Sequence, residues 1–466
     1  MKYLGIDIGS SFIKAVLLDL DQYRMISTRK SRSPQKEKNC DPNIFEIPAE
    51  EMVDTVRTLI DGYTSEYKDI QGVLISTQMH GFVYSVPGRK DMYVSWQDMR
   101  CMNPMEGYEG SYLEFLQEQI SPEDMQENGV YLKPSLGICN LYAMLQADKS
   151  LPGDGELYTL GSYLIHALTG NNICHVMNAA PMGIVNVKQH SLDHRIMTLM
   201  GMERVQLPVL AEDDYQICGT YRSNGCELKI HPDYGDMQVA ILGSGVKSGD
   251  AVANVATGAQ VIRYAEDFQC GSYEIRPYFE KGYLYTISNM PAGRNLDVLV
   301  KFISECAGLV IGKEPDMGTV WEKIHSCLGE ADPELKVEAS FYKNPYFPDG
   351  GYISGITHSN LHIGNLFMAA FADMAETYWK FIRQLGERPE NISRIICSGG
   401  VNWKTPQLRY NLEQISKKKC VLSTMADEAL SGMYQLAMVC SGKCAILEEC
   451  RKYPLQEEKD EFKGES

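Results

Sequence analysis

Residues 2–19 read KYLGIDIGSSFIKAVLLD. Leu4, Ile6 and Ile8 alternate with other residues, Gly9-Ser10-Ser11 interrupts the pattern, and a β-rich run follows to Leu18. Such alternation around a Gly-Ser break predicts strand, turn, strand. Asp7 closes the first strand beside the turn, where the backbone amides of Gly9, Ser10 and Ser11 can approach phosphate oxygens and a carboxylate can hold Mg²⁺, directly or through water. Lys14, seven residues on, adds a point charge. Ordinary hairpins also carry Asp and Ser in their turns, so the meaning of this one depends on the rest of the chain.

Working outward, AVANVATGAQVIRY (251–264) echoes the opening: Val255 and Thr257 lead into Gly258, and a second apolar run starts at Val261. Gly258 matches Gly9 in register, which suggests two related halves. GVLIST (72–77) reads as a short buried strand, and it delivers Gln78, Met79 and His80 into a loop. After a second strand come Trp96, Gln97, Asp98 and Arg100. Polar groups beside an aromatic plane suit recognition of a polyol, with Trp96 as the wall. The alternative is a loop histidine and an ordinary Asp98–Arg100 ion pair. In HPDYGDMQVAILGSG (231–245), Asp236 stands between Gly235 and the apolar start of a helix. A carboxylate held there can accept a proton or simply cap the helix.

Ser359 to Leu385 carries apolar residues at helical spacing and predicts a long amphipathic helix, with Ser359 or Asn360 as cap and Gly386 after its end. Then follow the strand RIICS (394–398), a turn at Gly399-Gly400, a helix opened by Thr405-Pro406, the strand CVLS (420–423) and a helix from about Met425 to Cys440. Alternation of strands and helices implies α/β layers. The Gly/Ser-rich stretch 243–250 is the expected hinge. The charged segment that ends the chain, 446–466, has little apolar surface and is expected to fray.

The length of 466 residues, 44% of them hydrophobic, suffices for two cores. The net charge of -17 disfavours nucleic acid and anionic membranes as partners. The opening residues lack the pattern of an export signal. No apolar run approaches the roughly 20 residues of a membrane span, so a cytoplasmic location is expected. Fourteen cysteines without a CxxC pair read as reduced thiols.

The order of these motifs resembles that of the FGGY carbohydrate kinases, over roughly residues 1–440. GIDIGSSFIKAVLLD is similar to that family's first phosphate motif, QMHG with WQDMR to its sugar-binding region, and YGDMQVAILG to the segment bearing the catalytic aspartate. NVATGAQV is similar to the second phosphate motif, IICSGGVNWKTPQLRYNLEQIS to the adenosine motif and DEALSGMYQLA to the closing helix. NVATGAQV, GDMQVAILG, CHVMNAAPMGIVNV and LYTLGSYLIHALTG look most like sedoheptulokinases, then xylulokinases. Departures are Ala256 where many members have Gly, His175 and Met177 where many have Asp and Ser, and FPDGG where a Gly-Glu-Arg is common.

The resemblance implies an actin-like (ribonuclease H-like), duplicated two-domain α/β fold with a cleft between the domains: 1–245 binding sugar, 246–445 binding nucleotide, then the tail 446–466. It implies MgATP and a ketose as ligands, leaves a homodimer open, and expects domain closure. Asp236 becomes the base at a primary hydroxyl and Asp7 the Mg²⁺-linked carboxylate. Gly9, Ser10, Ser11 and Lys14 attend the γ-phosphate, and Thr257 and Gly258 the β/γ-phosphates. Gly399 and Gly400 face adenine, while Gln78, Met79, His80, Trp96 and Asp98 contact sugar. Two other readings share parts of the sequence. An ATPase that activates an iron–sulfur dehydratase has the same opening strand but needs clustered cysteines and no QMHG loop; a sugar or nucleotide sensor would keep the fold and lose turnover.

Overall fold

The computed structural model describes residues 1–329, 332–344, 346–386, 388–425 and 427–456. The chain forms two compact units, one of Met1–Ser244, Ile275–Gly282 and residues 427–456, the other of Gly245–Glu274 and residues 283–425. This is not the contiguous 1–245 and 246–445 division. The chain re-enters the first unit twice, once for eight residues and once at its end.

The first unit starts with β1 (Lys2–Ile8) and β2 (Phe12–Asp19), antiparallel with Asp7 opposite Lys14. β3 (Arg24–Arg32) continues the antiparallel edge. Helix α1 (Ala49–Glu66) has Glu50 and Glu51 in its first turn, which favours the positive end of the helix dipole. It buries Met52, Val53, Val56, Ile60 and Tyr63 at helical spacing. These side chains join Leu4, Ile6 and Ile8 of the first strand in one core. Tyr63 brings its polar end with it by donating to the carbonyl of Ala15 at 3.1 Å. Strand β4 (Ile70–Thr77) then pairs parallel to β1 and places Ser76 beside Asp7. After a long insertion, the hairpin β5 (Gly219–Ser223) and β6 (Cys226–Gly235) completes the sheet, in the order β5-β6-β4-β1-β2-β3. The last strand leads directly into α2 (Asp236–Gly243).

The second unit repeats this plan. β7 (Asp250–Val255) and β8 (Ala259–Ala265) form the second hairpin, and β9 (Tyr283–Met290) pairs antiparallel to β8. Helices α3 (Gly293–Ile311), α4 (Met317–Cys327) and α5 (Ile363–Ile382) follow. Then come β10 (Arg394–Ser398), α6 (Gly400–Lys404), α7 (Pro406–Ser416) and β11 (Lys419–Leu422). The strands lie in the order β11-β10-β7-β8-β9, with β7 antiparallel to β8 and parallel to β10. Their order and directions are those of β6-β4-β1-β2-β3 in the first unit, so the faint echo between residues 2–19 and 251–264 is a repeated topology.

Two sequence expectations change. The long helix begins at Ile363, four residues later than Ser359, and its cap is His362, whose Nδ1 accepts from the amide of Asn365 at 3.4 Å. Asn360 is buried in the preceding loop, accepting from the amide of Thr357 and donating to Gly355 O, both at 2.9 Å. The end of the chain is not frayed up to Gln456. After α8 (Glu428–Cys440), capped by Asp427, a short helix α9 (Leu447–Cys450) buries Leu447 and Cys450, and Tyr453 stacks on Tyr23. Those apolar and aromatic groups outweigh the charges around them. The remaining tail, 457–466, lies outside the described residues.

α8 packs on α2 at glycine contacts: a side chain at Gly243 would meet the carbonyl of Glu428, and one at Gly432 that of Val239. Backbones this close fix α2, and with it Asp236, against the C-terminal helix.

Candidate active site

Asp236 is the first residue of α2, with Gly235 at the cap position. It therefore does not cap the helix in the ordinary way; its Oδ1 accepts from the amide of the next residue, Met237, at 2.7 Å. The residue as a whole is half-buried. Burial, then the negative charge of Asp7, push its pKa up to about 7, against smaller opposing effects of the Met237 amide and the Arg276 cation. The carboxyl is thus poised to take up a proton near neutrality.

Asp7 reaches the same neighbourhood from the end of β1. Burial raises its pKa as well, with Lys14 and a 3.2 Å hydrogen bond from the Ser76 hydroxyl opposing. Lys14 Nζ donates to Asp427 Oδ2 at 3.3 Å, which ties the cation to the residue that caps α8. In the turn, the Gly9 amide closes on Phe12 O at 3.1 Å, and Ser33 binds Gly9 O and Ser11 O. The amide of Gly9 is therefore spent on the turn. Ser10 and Ser11 are exposed at its tip.

The QMHG loop lies beside this acid pair. Gln78 is buried, and Met79 Sδ comes within 2.8 Å of where a side chain on Gly235 would start. His80 has left-handed backbone, φ +70°, a conformation that a non-glycine residue holds only when its surroundings impose it. Arg276 donates to its Nε2 at 3.3 Å. Tyr93 is fully buried, and burial together with Asp236 holds its hydroxyl protonated far above the usual range. Trp96 remains 42% exposed.

Asp98 is a correction. It is completely buried, and both oxygens are engaged internally: Oδ1 by the Arg100 amide and Nε at 3.0 and 2.8 Å, Oδ2 by Arg100 and the Phe45 amide at 2.8 and 2.7 Å. Asp98 shapes the loop that carries Trp96 and is not presented to a ligand.

In the second unit, a cavity of about 740 Å³ is lined by Ala256 and Thr257 of the hairpin turn, Gly293 and Leu296 of α3, Trp321 and His325 of α4, and Gly400, Val401 and Lys404 of α6. The turn is docked on the start of α3, where the amides of Gly293 and Arg294 donate to Ala256 O and Thr257 O at 3.0 and 3.2 Å. Gly258 closes the turn by accepting from the Ala256 amide at 2.9 Å. Gly399 has φ +82° and sits 2.5 Å from Val255 O at the point where a Cβ would start. Only glycine fits that bend, and the bend aims the start of α6 at the cavity. Trp321 and His325 stack with centroids 5.6 Å apart.

Residues 2–231 match the FGGY family of carbohydrate kinases, N-terminal domain. The chain belongs to the FGGY family of carbohydrate kinases. It is 19% identical to mouse sedoheptulokinase over 457 residues, covering 88% of this chain and 92% of that one. Its fold is shared with a xylulose kinase from Rhodospirillum rubrum (TM-score 0.82, 14% identity, 96% of this chain and 92% of that one). It is shared as well with Plasmodium falciparum glycerol kinase solved with ADP (TM-score 0.81, 16% identity, 98% and 93%). This is the actin-like two-domain fold, and the chain is a carbohydrate kinase that uses ATP.

In this FGGY kinase the structure brings Asp7, Asp236, Gln78, Met79 and His80, all singled out in the sequence, into one neighbourhood, and sets Thr257 and Gly400 on one cavity; sequence reading assigns those two to the β/γ-phosphates and to adenine. It missed Tyr93, Gln238, Arg276, Trp321 and His325. Tyr93 sits only three residues before Trp96, inside the strand that leads to it. Arg276 and Trp321 stand in segments with no motif, so only the folded chain brings them to a site.

Proposed function

We propose that the protein transfers the γ-phosphoryl of MgATP to a primary hydroxyl of a ketose, of the sedoheptulose or xylulose kind, with Asp236 as general base. The observation that carries this reading is the paired carboxyls: Asp236 is held near neutrality by burial and by Asp7, beside a loop of polar side chains. A base must be unprotonated enough to accept the proton and basic enough to want it, so a value near the working pH serves best.

Phosphoryl transfer asks chiefly for positioning and for neutralisation of developing charge. Asp236 orients the hydroxyl and accepts its proton as the new P–O bond forms and the bond to ADP breaks. Gln78, Met79 and His80 hold the polyol against Trp96, and Asp98 acts only by bracing that loop through Arg100. The amides of Ser10 and Ser11 and the cation of Lys14 attend the γ-phosphate, while Thr257 and Gly258 hold the β/γ-phosphates. Gly399 and Gly400 let adenine lie on backbone, beside Trp321 and His325. Mg²⁺ neutralises phosphate charge during such transfers. A buried carboxylate such as Asp7 is the kind of ligand Mg²⁺ takes, one or two per ion with phosphate oxygens supplying the rest.

The relatives' names cover sedoheptulose, xylulose and glycerol, so the ketose is chosen by experiment. A coupled ADP-release assay across sedoheptulose, xylulose, ribulose, fuculose, rhamnulose and glycerol tests the reading. Sugar-dependent ADP release with a ketose is expected. ADP release with none of them, from protein that binds ATP, would favour a non-catalytic sensor.

A further inference from the structure

The chain leaves the second unit after Glu274, spends Ile275–Gly282 in the first, and goes back. An eight-residue excursion costs conformational entropy at every position, and this one is fastened along its length. The amide of Ile275 donates to Gly129 O at 2.8 Å, and Gln238 Nε2 donates to Pro277 O at 3.3 Å. The Glu280 amide donates to Asp214 Oδ2 at 2.6 Å, while Glu280 Oε1 accepts from the Leu447 amide at 3.2 Å. Its turn holds Glu280 and Lys281 at φ +55° and +63°. The segment carries Arg276, which is 4% exposed and whose cation acts on Asp236.

Arginine has donors only. The 3.3 Å contact with His80 Nε2 therefore makes that nitrogen the acceptor, so the imidazole is neutral with its proton on Nδ1. The same contact braces a residue whose backbone is left-handed. A second polar group converges on the spot: Gln238, two residues after Asp236, spends its Nε2 on the excursion and leaves Oε1 buried without a hydrogen-bond partner among the described residues. Three segments distant in sequence thus place a guanidinium, an imidazole, an amide oxygen and the Asp236 carboxyl in one neighbourhood.

We propose that Arg276 is a positioning residue for the phosphoryl acceptor, which sets the orientation and tautomer of His80 so that the loop recognises an oxygen-rich, uncharged polyol. The proposal rests on the acceptor-site reading given above and adds a residue from outside every motif to it. Loss of Arg276 weakens sugar binding and leaves the nucleotide site, built from other segments, untouched.

The test compares wild type with Arg276→Met, Arg276→Lys, His80→Ala and the Arg276→Met/His80→Ala double variant, in full-length protein. Sugar and ATP KM and kcat are measured with the best ketose, and equilibrium sugar binding by calorimetry. The expected result is a sugar KM raised by about tenfold or more in Arg276→Met, the scale of one lost hydrogen bond to a charged group, with ATP KM unchanged. Arg276→Lys, which keeps stem and charge, should fall in between. The double variant should bind sugar no more weakly than His80→Ala, because the two residues act as one. Unchanged sugar affinity in Arg276→Met, an equal rise in ATP KM, or additive losses in the double variant would overturn the proposal. If Arg276→Met fails to melt cooperatively, Arg276→Lys decides, and wild-type affinity there overturns it. Should wild type release no ADP, the kinase reading fails by itself. The calorimetric comparison still decides Arg276: weaker sugar binding by the variant supports its role, and equal binding or no binding by wild type ends it.

Discussion

At the scale of single residues, a carboxyl held near neutrality has two measurable consequences. First, the base must be ionised to accept a proton, so kcat/KM should fall as the pH drops through about 7, the value to which burial and Asp7 push Asp236. A pH–rate profile of ADP release checks this, and a profile flat through that region would contradict it. Second, the raised value is a statement about stability. A carboxyl with a folded-state pKa above its unfolded one stabilises the fold fully below the unfolded value and loses that contribution as the pH rises through about 7. Asp236→Asn carries no charge to bury, so it should melt at a higher temperature than wild type above neutrality and at a similar one in acid. Thermal melts of both proteins across pH measure the difference, and equal melting above neutrality would mean that the carboxyl is well solvated.

At the scale of elements, turns and caps are built by groups that recognition motifs also use. The Asp98–Arg100 pair was legible as a motif, yet its role was not, because spacing does not reveal that four internal bonds consume the carboxylate. Asp98→Ala leaves a buried guanidinium facing only Glu46, and a loss of about 3–5 kcal/mol in stability is expected from breaking a buried pair. Urea denaturation checks it; a normal midpoint with a raised sugar KM would return Asp98 to the ligand. Gly399→Ala should weaken nucleotide binding, since the Cβ meets Val255 O and the backbone is left-handed. Titration with ATP reads this out, and wild-type affinity would show that the bend is not needed. The strands around Asp7 and Thr257 were readable because period-2 alternation and glycine breaks are local. The start of α5 was not, because Asn360 found partners in its own loop and left the cap to His362.

At the scale of the whole molecule, the repeated sheet order explains why two glycine-bearing hairpins recur far apart in the sequence. The duplication was faintly audible in residues 2–19 and 251–264. The two returns of the chain to the first unit had no such signal. One depends on glycine contacts between α2 and α8, the other on scattered hydrogen bonds; neither leaves a period, and the DEALSGMYQLA motif marks a helix without saying which unit it joins. Segments bound by long-range contacts of that kind bring Asp427 to Lys14 and Arg276 to His80. The central claim, that Asp236 takes the proton of the attacking hydroxyl, is tested most directly by kcat of Asp236→Asn on the best ketose, with ATP affinity measured on the same protein. The expected result is kcat lowered by about 10²–10⁴ with ATP affinity retained, the range for a lost general base. Turnover at the wild-type rate would contradict it and remove Asp236 from the mechanism.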